Sequence, residues 1–339
     1  MRILLIGGTG TISMAITKLL AAKGHELYLL NRGTRNSELP DGVKTIKADI
    51  SDEAETDRIL GDMTFDCVGE FIGFVPSQAE RDFRLFKDRT KQYIYISSAS
   101  AYLKPPKGYV ITEETPLENP YWEYSRNKKA CEDYLFERYR RDGFPVTVVR
   151  PNHTYDERSV PLGVHGNGGS WQVVKRIMDG KPVIIHGDGS SLWTITHNSD
   201  FAKGFVGLIG NPKAIGEAFH ITSDESVPWN DIYRAIADAL GVELRPYYVS
   251  ARTLADMSDY DYEGGLIGDK SNSVVFDNSK IKSLVPDFNC EISARDGIAM
   301  TVRNILAHPE LQNTDPEFDQ WCDRVIAVLD KAKEEVLNG

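Results

Sequence analysis

Short apolar runs alternate with helix-period stretches through the first half of the chain. The run at 2–6 is followed by glycines and by a helical pattern over 14–23 that closes at Gly24. A brief unbroken apolar run predicts a strand buried on both faces. The same reading gives strands at 26–30, 44–48, 65–68, 92–96 and 146–150. It also gives helices at 78–86 and 121–142, the second stopped at Gly143. Strands alternating with helices predict a parallel sheet of the doubly wound α/β kind. After strand six come Gly163, Gly166, Gly168 and Gly169, a cluster that predicts loops leading into another domain. Residues 218–222 look like a strand returning to the sheet, 230–240 like an amphipathic helix, and 315–339 like an acidic helical extension. The expected organisation is a dinucleotide-binding domain at 1–155, completed by about 190–225. A smaller C-terminal α/β substrate domain follows at 156–189 and 226–312, with the helical extension at 313–339. No internal repeat or low-complexity segment interrupts this plan.

Candidate chemistry begins at Gly7-Gly8-Thr9-Gly10-Thr11-Ile12-Ser13, between the first strand and the first helix. Glycines let the backbone approach a pyrophosphate, and a helix N-terminus supplies amide donors and positive dipole. Gly7, Gly10, Thr11 and Ile12 are therefore cofactor candidates. Ser13 stands where a third glycine is usual, and an ordinary helix-opening turn is the alternative. A second signal is Tyr124-Ser125-Arg126-Asn127-Lys128. Residues four apart share one face of a helix. A tyrosine titrates near ~10 and is a poor acid or base at neutral pH, whereas a nearby ammonium favours its phenolate. The pair can then move a proton on and off a substrate oxygen. Third, an apolar strand runs into Ser97-Ser98-Ala99-Ser100. Strand C-terminal ends are where open α/β sheets bind ligands, so Ser98 is placed to contact the same oxygen. A serine-rich loop is the plain alternative.

These residues carry a resemblance to the extended short-chain dehydrogenases/reductases of the NAD-dependent epimerase/dehydratase family. It covers the chain to about Ile305. The stretch Thr112-Glu113-Glu114-Thr115-Pro116-Leu117 before Tyr124, Lys128 and Glu132 resembles that family's run into its catalytic helix. Ser98 four residues before Tyr102 matches its strand-end pattern. Arg150-Pro151-Asn152-His153 resembles its segment beside the nicotinamide. Gly180-Lys181-Pro182-Val183 with Gly187-Asp188-Gly189 resembles a hairpin of its substrate domain, and Phe276-Asp277-Asn278-Ser279-Lys280 a late segment before the final helices. The details are most similar to a branch that includes the chloroplast stem-loop-binding proteins. The resemblance implies a catalytic set of Ser98, Tyr124 and Lys128, with Tyr124, Lys128, Pro151 and His153 at the cofactor.

Cofactor choice turns on the end of strand two, where a carboxylate suits the ribose of NAD and arginine the 2′-phosphate of NADP. The chain has Asn31-Arg32-Gly33-Thr34-Arg35, so NADP is favoured over NAD, with Asn31, Arg32 and Arg35 as contacts. Asp49 and Ile50 resemble the family's adenine-contacting pair; a turn or capping aspartate is the alternative. At the substrate end, Trp193 stands where nucleotide-sugar relatives carry a phosphate-clamping arginine. A tryptophan ring stacks but cannot neutralise a phosphate. The expected substrate is therefore a small sugar-like molecule, met by Ser98, Ser100, His153, Trp171 and Trp193; a core position for Trp171 and a backbone-bonded His153 are the alternatives.

The 339 residues include 41% hydrophobic and 26% charged residues, ordinary proportions for a globular protein. The net charge of -11 argues against a generic nucleic-acid binder. Cys67, Cys131, Cys290 and Cys322 lack paired spacing, so no metal site or disulfide frame is expected. No apolar run reaches membrane-span length, and the strand at 2–6 leaves no place for a signal peptide, which predicts a cytoplasmic protein. A homodimer is expected by analogy. The alternatives to an enzyme are an RNA-binding protein of the stem-loop-binding type and an NADP-sensing regulator without turnover.

Overall fold

The computed structural model describes residues 1–33 and 39–339 and divides into two compact units. The first comprises Met1–Thr154, Thr196–Asp224 and Phe276–Glu291. Its seven strands, counted among the described residues, are β1 (Arg2–Ile6), β2 (Glu26–Asn31), β3 (Lys44–Lys47), β4 (Cys67–Glu70), β5 (Tyr93–Ile96), β6 (Val146–Pro151) and β7 (Ala218–Ile221). They pair in the order β7-β6-β5-β4-β1-β2-β3, and every pairing is parallel. The sheet order reverses between β1 and β4, which makes that crevice the place for a ligand in an open α/β sheet.

The strands are continuous apolar runs because both faces are covered. Ile3, Leu5, Leu27, Leu29 and Ile94 pack with Ile16, Leu20, Phe201 and Phe205 in one core. The intervening Leu4, Ile6, Leu30 and Val68 pack with Leu85, Phe86, Cys131 and Leu135 in another. Three helices of this unit carry the site: α1 (Ser13–Ala22), α3 (Pro76–Phe86) and α4 (Glu123–Asp142), with α2 (Glu53–Leu60) between the first two. α4 ends as expected at Gly143, whose φ of 71° is a left-handed cap. The buried pair Arg150–Glu132, at 2.7 Å, ties α4 to β6. Residues from two separate stretches of the family resemblance are thus structural partners of one another.

The second unit comprises Tyr155–Ile195, Glu225–Val275 and Ile292–Gly339. It holds the helices Trp171–Met178, Trp229–Leu240, Ala294–Ala307 and Pro316–Asn338 with short two-stranded pairs. The strand Val183–His186 pairs in parallel with Pro246–Val249, so the segment expected as a hairpin is a crossover instead. The C-terminal helix is anchored within this unit. Phe318, Trp321, Cys322 and Val325 are buried, and Asp319 and Asp323 receive the buried Arg176 at 2.6 and 2.8 Å.

Candidate active site

The turn after β1 is held in shape by Ser13. Its hydroxyl donates to Gly7 O at 2.6 Å and accepts from Gly10 N at 2.9 Å. The serine at the third position therefore closes the loop with side-chain bonds that a glycine could not make. Gly7 has φ of 81°, and Gly8 packs so closely that an added Cβ would lie 2.5 Å from Leu29. The N-cap of α1, Ile12, makes no side-chain cap, and the first turn carries no acid. Met14 N donates to Gly10 O at 3.0 Å, and the positive end of the helix dipole faces this turn, which favours an anion there.

A groove of about 560 Å³ opens here, lined by the expected Gly7, Gly10, Asn31, Arg32, Asp49 and Ile50. Thr9, Gln78 and Arg81 also line it, and sequence reasoning had not singled them out. Asn31 Oδ1 accepts from Gly33 N at 2.9 Å, while its Nδ2 is buried with no partner among the described residues. Asp49 is held below the ordinary carboxylate range first by the Ser51 hydroxyl and amide. Its best-defined role is thus a turn, with Arg32 and Arg81 adding a smaller electrostatic contribution. Arg35 lies outside the described residues. Thr11 O accepts from Asn198 Nδ2 at 2.8 Å. Pro151 ends β6 and is buried, and the half-buried His153 follows two residues later. An uncapped helix N-terminus, a glycine turn and a basic groove fit a dinucleotide.

Lys128 sits at the other end of this wall. It is 1% exposed, and its Nζ donates to Gly73 O at 2.6 Å and Ile96 O at 2.7 Å. Three rings surround the ammonium, with centroids at 4.8 Å (Phe74), 4.9 Å (Tyr95) and 5.8 Å (Tyr124). Burial lowers its pKa from 10.5 to about 8. Tyr124 is half-buried one turn earlier on α4. Gly73 O also accepts from Tyr95 OH at 3.0 Å, so the loop after β4 is fixed from two sides. A Cβ on Gly73 would lie 3.1 Å from the Tyr95 ring and 3.3 Å from Glu70 Cγ.

Beneath that loop is a buried acid pair that the apolar pattern had hidden. Glu70 and Asp82 are both 0% exposed. Asp82 is held by Arg81 Nε and Nη2 at 2.8 and 2.7 Å and by Tyr93 OH at 2.8 Å. Burial and the Asp82 charge push Glu70 well above the usual range. Glu70 Oε1 accepts from Ile72 N, while Oε2 meets no N–H or O–H donor among the described residues. Burial and the nearby Asp82 both favour the protonated form of Glu70.

Ser98, half-buried, follows β5, and its Oγ lies 2.8 Å from Ser100 Oγ. Ser100 was expected at the substrate. It is instead 4% exposed and hydrogen-bonded behind Ser98, with a further bond of 2.8 Å from Ser125 Oγ. The two tryptophans are also corrected. Trp193 is 1% exposed and stacks on Trp229 at 5.6 Å, and Trp171 is 7% exposed, so both belong to the core of the second unit. In that unit Arg158 is paired with Asp156, and Lys175 with Asp179 at 2.7 Å. No group of three potential ligands for a metal ion occurs among the described residues, and no described helix is long and apolar enough to cross a membrane.

Comparison with known proteins places this geometry in context. The model of the NAD dependent epimerase/dehydratase family matches residues 3–222. The 2′-dehydrokanamycin reductase of Streptomyces kanamyceticus is 23% identical over 289 residues, covering 85% of this chain and 80% of that protein. The chloroplast stem-loop binding protein of 41 kDa b from Arabidopsis thaliana is 27% identical over 253 residues, covering 71% and 63%. Among solved structures, UDP-glucose 4-epimerase from Bifidobacterium longum, in complex with NAD+ and UDP, superposes with a TM-score of 0.72. It is 20% identical and covers 93% of this chain and 100% of its own, a likeness of fold.

Proposed function

The chain belongs to the NAD dependent epimerase/dehydratase family, and from that premise we propose that it is an NADP(H)-dependent reductase of a keto group on a neutral or cationic sugar-like glycoside. The observation that carries the chemistry is the buried Lys128 ammonium, fixed by two backbone carbonyls beside the Tyr124 ring. Bound nicotinamide supplies the hydride. Tyr124 gives its phenolic proton to the carbonyl oxygen as that oxygen gains charge, and Ser98 donates a hydrogen bond to the same atom. Lys128 stabilises the phenolate left on Tyr124 until solvent returns the proton. In the reverse direction the same groups withdraw the proton from a hydroxyl.

Three observations support the substrate class. Arg158 and Lys175 of the second unit, cations that could take over from an arginine at position 193 as a phosphate clamp, each have a carboxylate partner. A net charge of -11 attracts a polyamine-bearing glycoside and repels a diphosphate. The relative covering 85% of the chain is by name a reductase of a keto-aminoglycoside. Arg32 at the cofactor groove, with no carboxylate at the end of β2, supports NADPH. The remaining cofactor and substrate contacts, Thr11, Ile12, Pro151 and His153, are proposed on the same footing, as are the cytoplasmic location and the homodimer.

A substrate panel tests the reading. 2′-Dehydrokanamycin should consume NADPH in the presence of the protein, while UDP-glucose should be neither epimerised nor oxidised. Tyr124→Phe should lower turnover by roughly two orders of magnitude, the scale of a positioned acid/base, with cofactor affinity retained. Turnover close to the unmodified protein in that variant defeats the assignment. Epimerisation of UDP-glucose would replace the reductase reading with the epimerase one.

A further inference from the structure

Ser98, proposed above to donate to the reacting oxygen, ends a chain of hydrogen bonds whose first links have a fixed direction. The chain starts at Asn119, which is 5% exposed. Its Oδ1 accepts from Tyr121 N at 3.1 Å, and its Nδ2 donates to Ser100 O at 2.8 Å. Those two backbone partners admit one orientation of the amide, so Nδ2 is the atom that faces Ser125 Oγ at 3.3 Å. An amide nitrogen only donates, and Ser125 Oγ must accept. The Ser125 proton passes on to Ser100 Oγ at 2.8 Å. Ser100 Oγ lies 2.8 Å from Ser98 Oγ, a contact in which either hydroxyl could donate, and Ser100 has its own proton to give there. The Ser100 backbone N–H donates to the same Ser98 oxygen at 3.2 Å.

With the Ser100 proton directed to it, Ser98 Oγ receives two donors, which fill the two acceptor positions of a hydroxyl. We infer that Asn119, Ser125 and Ser100 are positioning residues that orient the Ser98 hydroxyl as an obligatory donor, directed away from the chain toward the reacting oxygen. This inference rests on the proposed reaction for its purpose but not for its geometry. A hydroxyl that can only donate suits a carbonyl or an alkoxide, both of which accept. Ser98 is therefore preset for the electron-rich oxygen that develops when hydride reaches the carbon. Ser125 and Ser100 are buried at 1% and 4% exposure, so water does not compete for these bonds.

Neutron diffraction from the deuterated full-length protein reads the direction without any substrate. The expected nuclear density places the Ser100 deuteron on the line to Ser98 Oγ and the Ser98 deuteron off that line. A Ser98 deuteron lying between the two oxygens overturns the inference. Kinetics with 2′-dehydrokanamycin and NADPH test the consequence. Ser125→Ala should lower kcat about tenfold with KM for NADPH unchanged, because a Ser98 free to rotate spends time as an acceptor. Ser125→Thr, which keeps the hydroxyl, should restore most of it. Equal kcat in all three proteins also overturns it. Should no keto-glycoside be reduced while the deuterons lie as expected, the proposed reaction fails and the orientation stands. Should reduction depend on Tyr124 while the Ser98 deuteron is reversed, the orientation fails and the reaction stands.

Discussion

Replacing Lys128 by methionine should separate activity from stability. Lowering the pKa from 10.5 to about 8 means that the fold pays about 3 kcal/mol to keep the charged form at neutral pH. Methionine removes that penalty and fills similar volume. Against this, Gly73 O and Ile96 O each lose a donor, at a cost of about 1 kcal/mol apiece. Gly73 O keeps Tyr95 OH, which holds its loss at the low end. Lost contact with the rings costs about 1 kcal/mol more. The sum is near zero, so Lys128→Met should unfold in urea within about 1.5 kcal/mol of the unmodified protein at neutral pH. Turnover should nevertheless fall by two orders of magnitude or more, about the contribution of the acid/base that the ammonium serves. The pH dependence supplies a sign. The folded protein binds fewer protons at this position than the unfolded chain between about pH 8 and 10.5, so stability rises with pH across that window. From neutral pH to about pH 9.5 the unmodified protein should gain about 2 kcal/mol relative to the methionine variant. A variant that loses more than about 3 kcal/mol, or a gap that does not move with pH, would show that the ammonium is a net structural bridge and would refute this account of its burial.

Three other outcomes are expected. The rate should fall on the alkaline side with an apparent pKa near about 8, as Lys128 loses its proton; a plateau to pH 10 in initial-rate measurements contradicts that role. Calorimetric titration should show tighter binding of NADPH than NADH, and Arg32→Ala should narrow the difference by about tenfold through loss of one charge-assisted contact; tighter NADH binding in the unmodified protein argues against the arginine's role. Gly73→Ala should destabilise by about 1–3 kcal/mol because its Cβ meets Tyr95 and Glu70, with weaker cofactor binding by the shifted loop; unchanged melting and binding would show that the loop yields freely.

The sheet was legible because its strands are unbroken apolar runs of the length that strands have, and the helices between them keep a helical period. The expected strand at 65–68 forms two residues later, at Cys67–Glu70, because its last residue is a buried carboxylate that an apolar pattern leaves out. α2 reads as polar surface, with apolar anchors spaced only at Ile59 and Leu60 near its end, and had no pattern to find. At the site, the spacing of Tyr124 and Lys128 and the glycine turn could be read because each depends on local geometry alone. Ser125 and Asn119 could not, since their roles arise from bonds to Ser100 that join separate segments. Trp193 shows the opposite failure. Its alignment with a clamp position suggested a pocket, but the neighbouring Trp229, on the following helix of the same unit, turns it into core. A carboxylate closing an apolar strand, as at Glu70, was the one readable signal for the buried acid pair.

That pair bears on how Lys128 can be lowered at all. A buried lysine acted on by the nearby carboxylates Glu70 and Glu132 would ordinarily be held in its charged form. Here Arg81 and the Tyr93 hydroxyl compensate Asp82, and burial together with the charge of Asp82 pushes Glu70 up, toward its neutral form. Lys128 has carbonyls and rings as its nearest partners, and burial outweighs the raising effects of Cys131, Glu70 and Glu132 on its titration. The same Glu70 anchors Ile72 N, and its stem packs against Gly73, the residue whose carbonyl receives the ammonium. Charge and shape at the end of β4 therefore act on one atom. If Glu70 were ionised, the lysine would be pulled back toward its ordinary range, and the alkaline fall in rate expected as the ammonium loses its proton would move to higher pH.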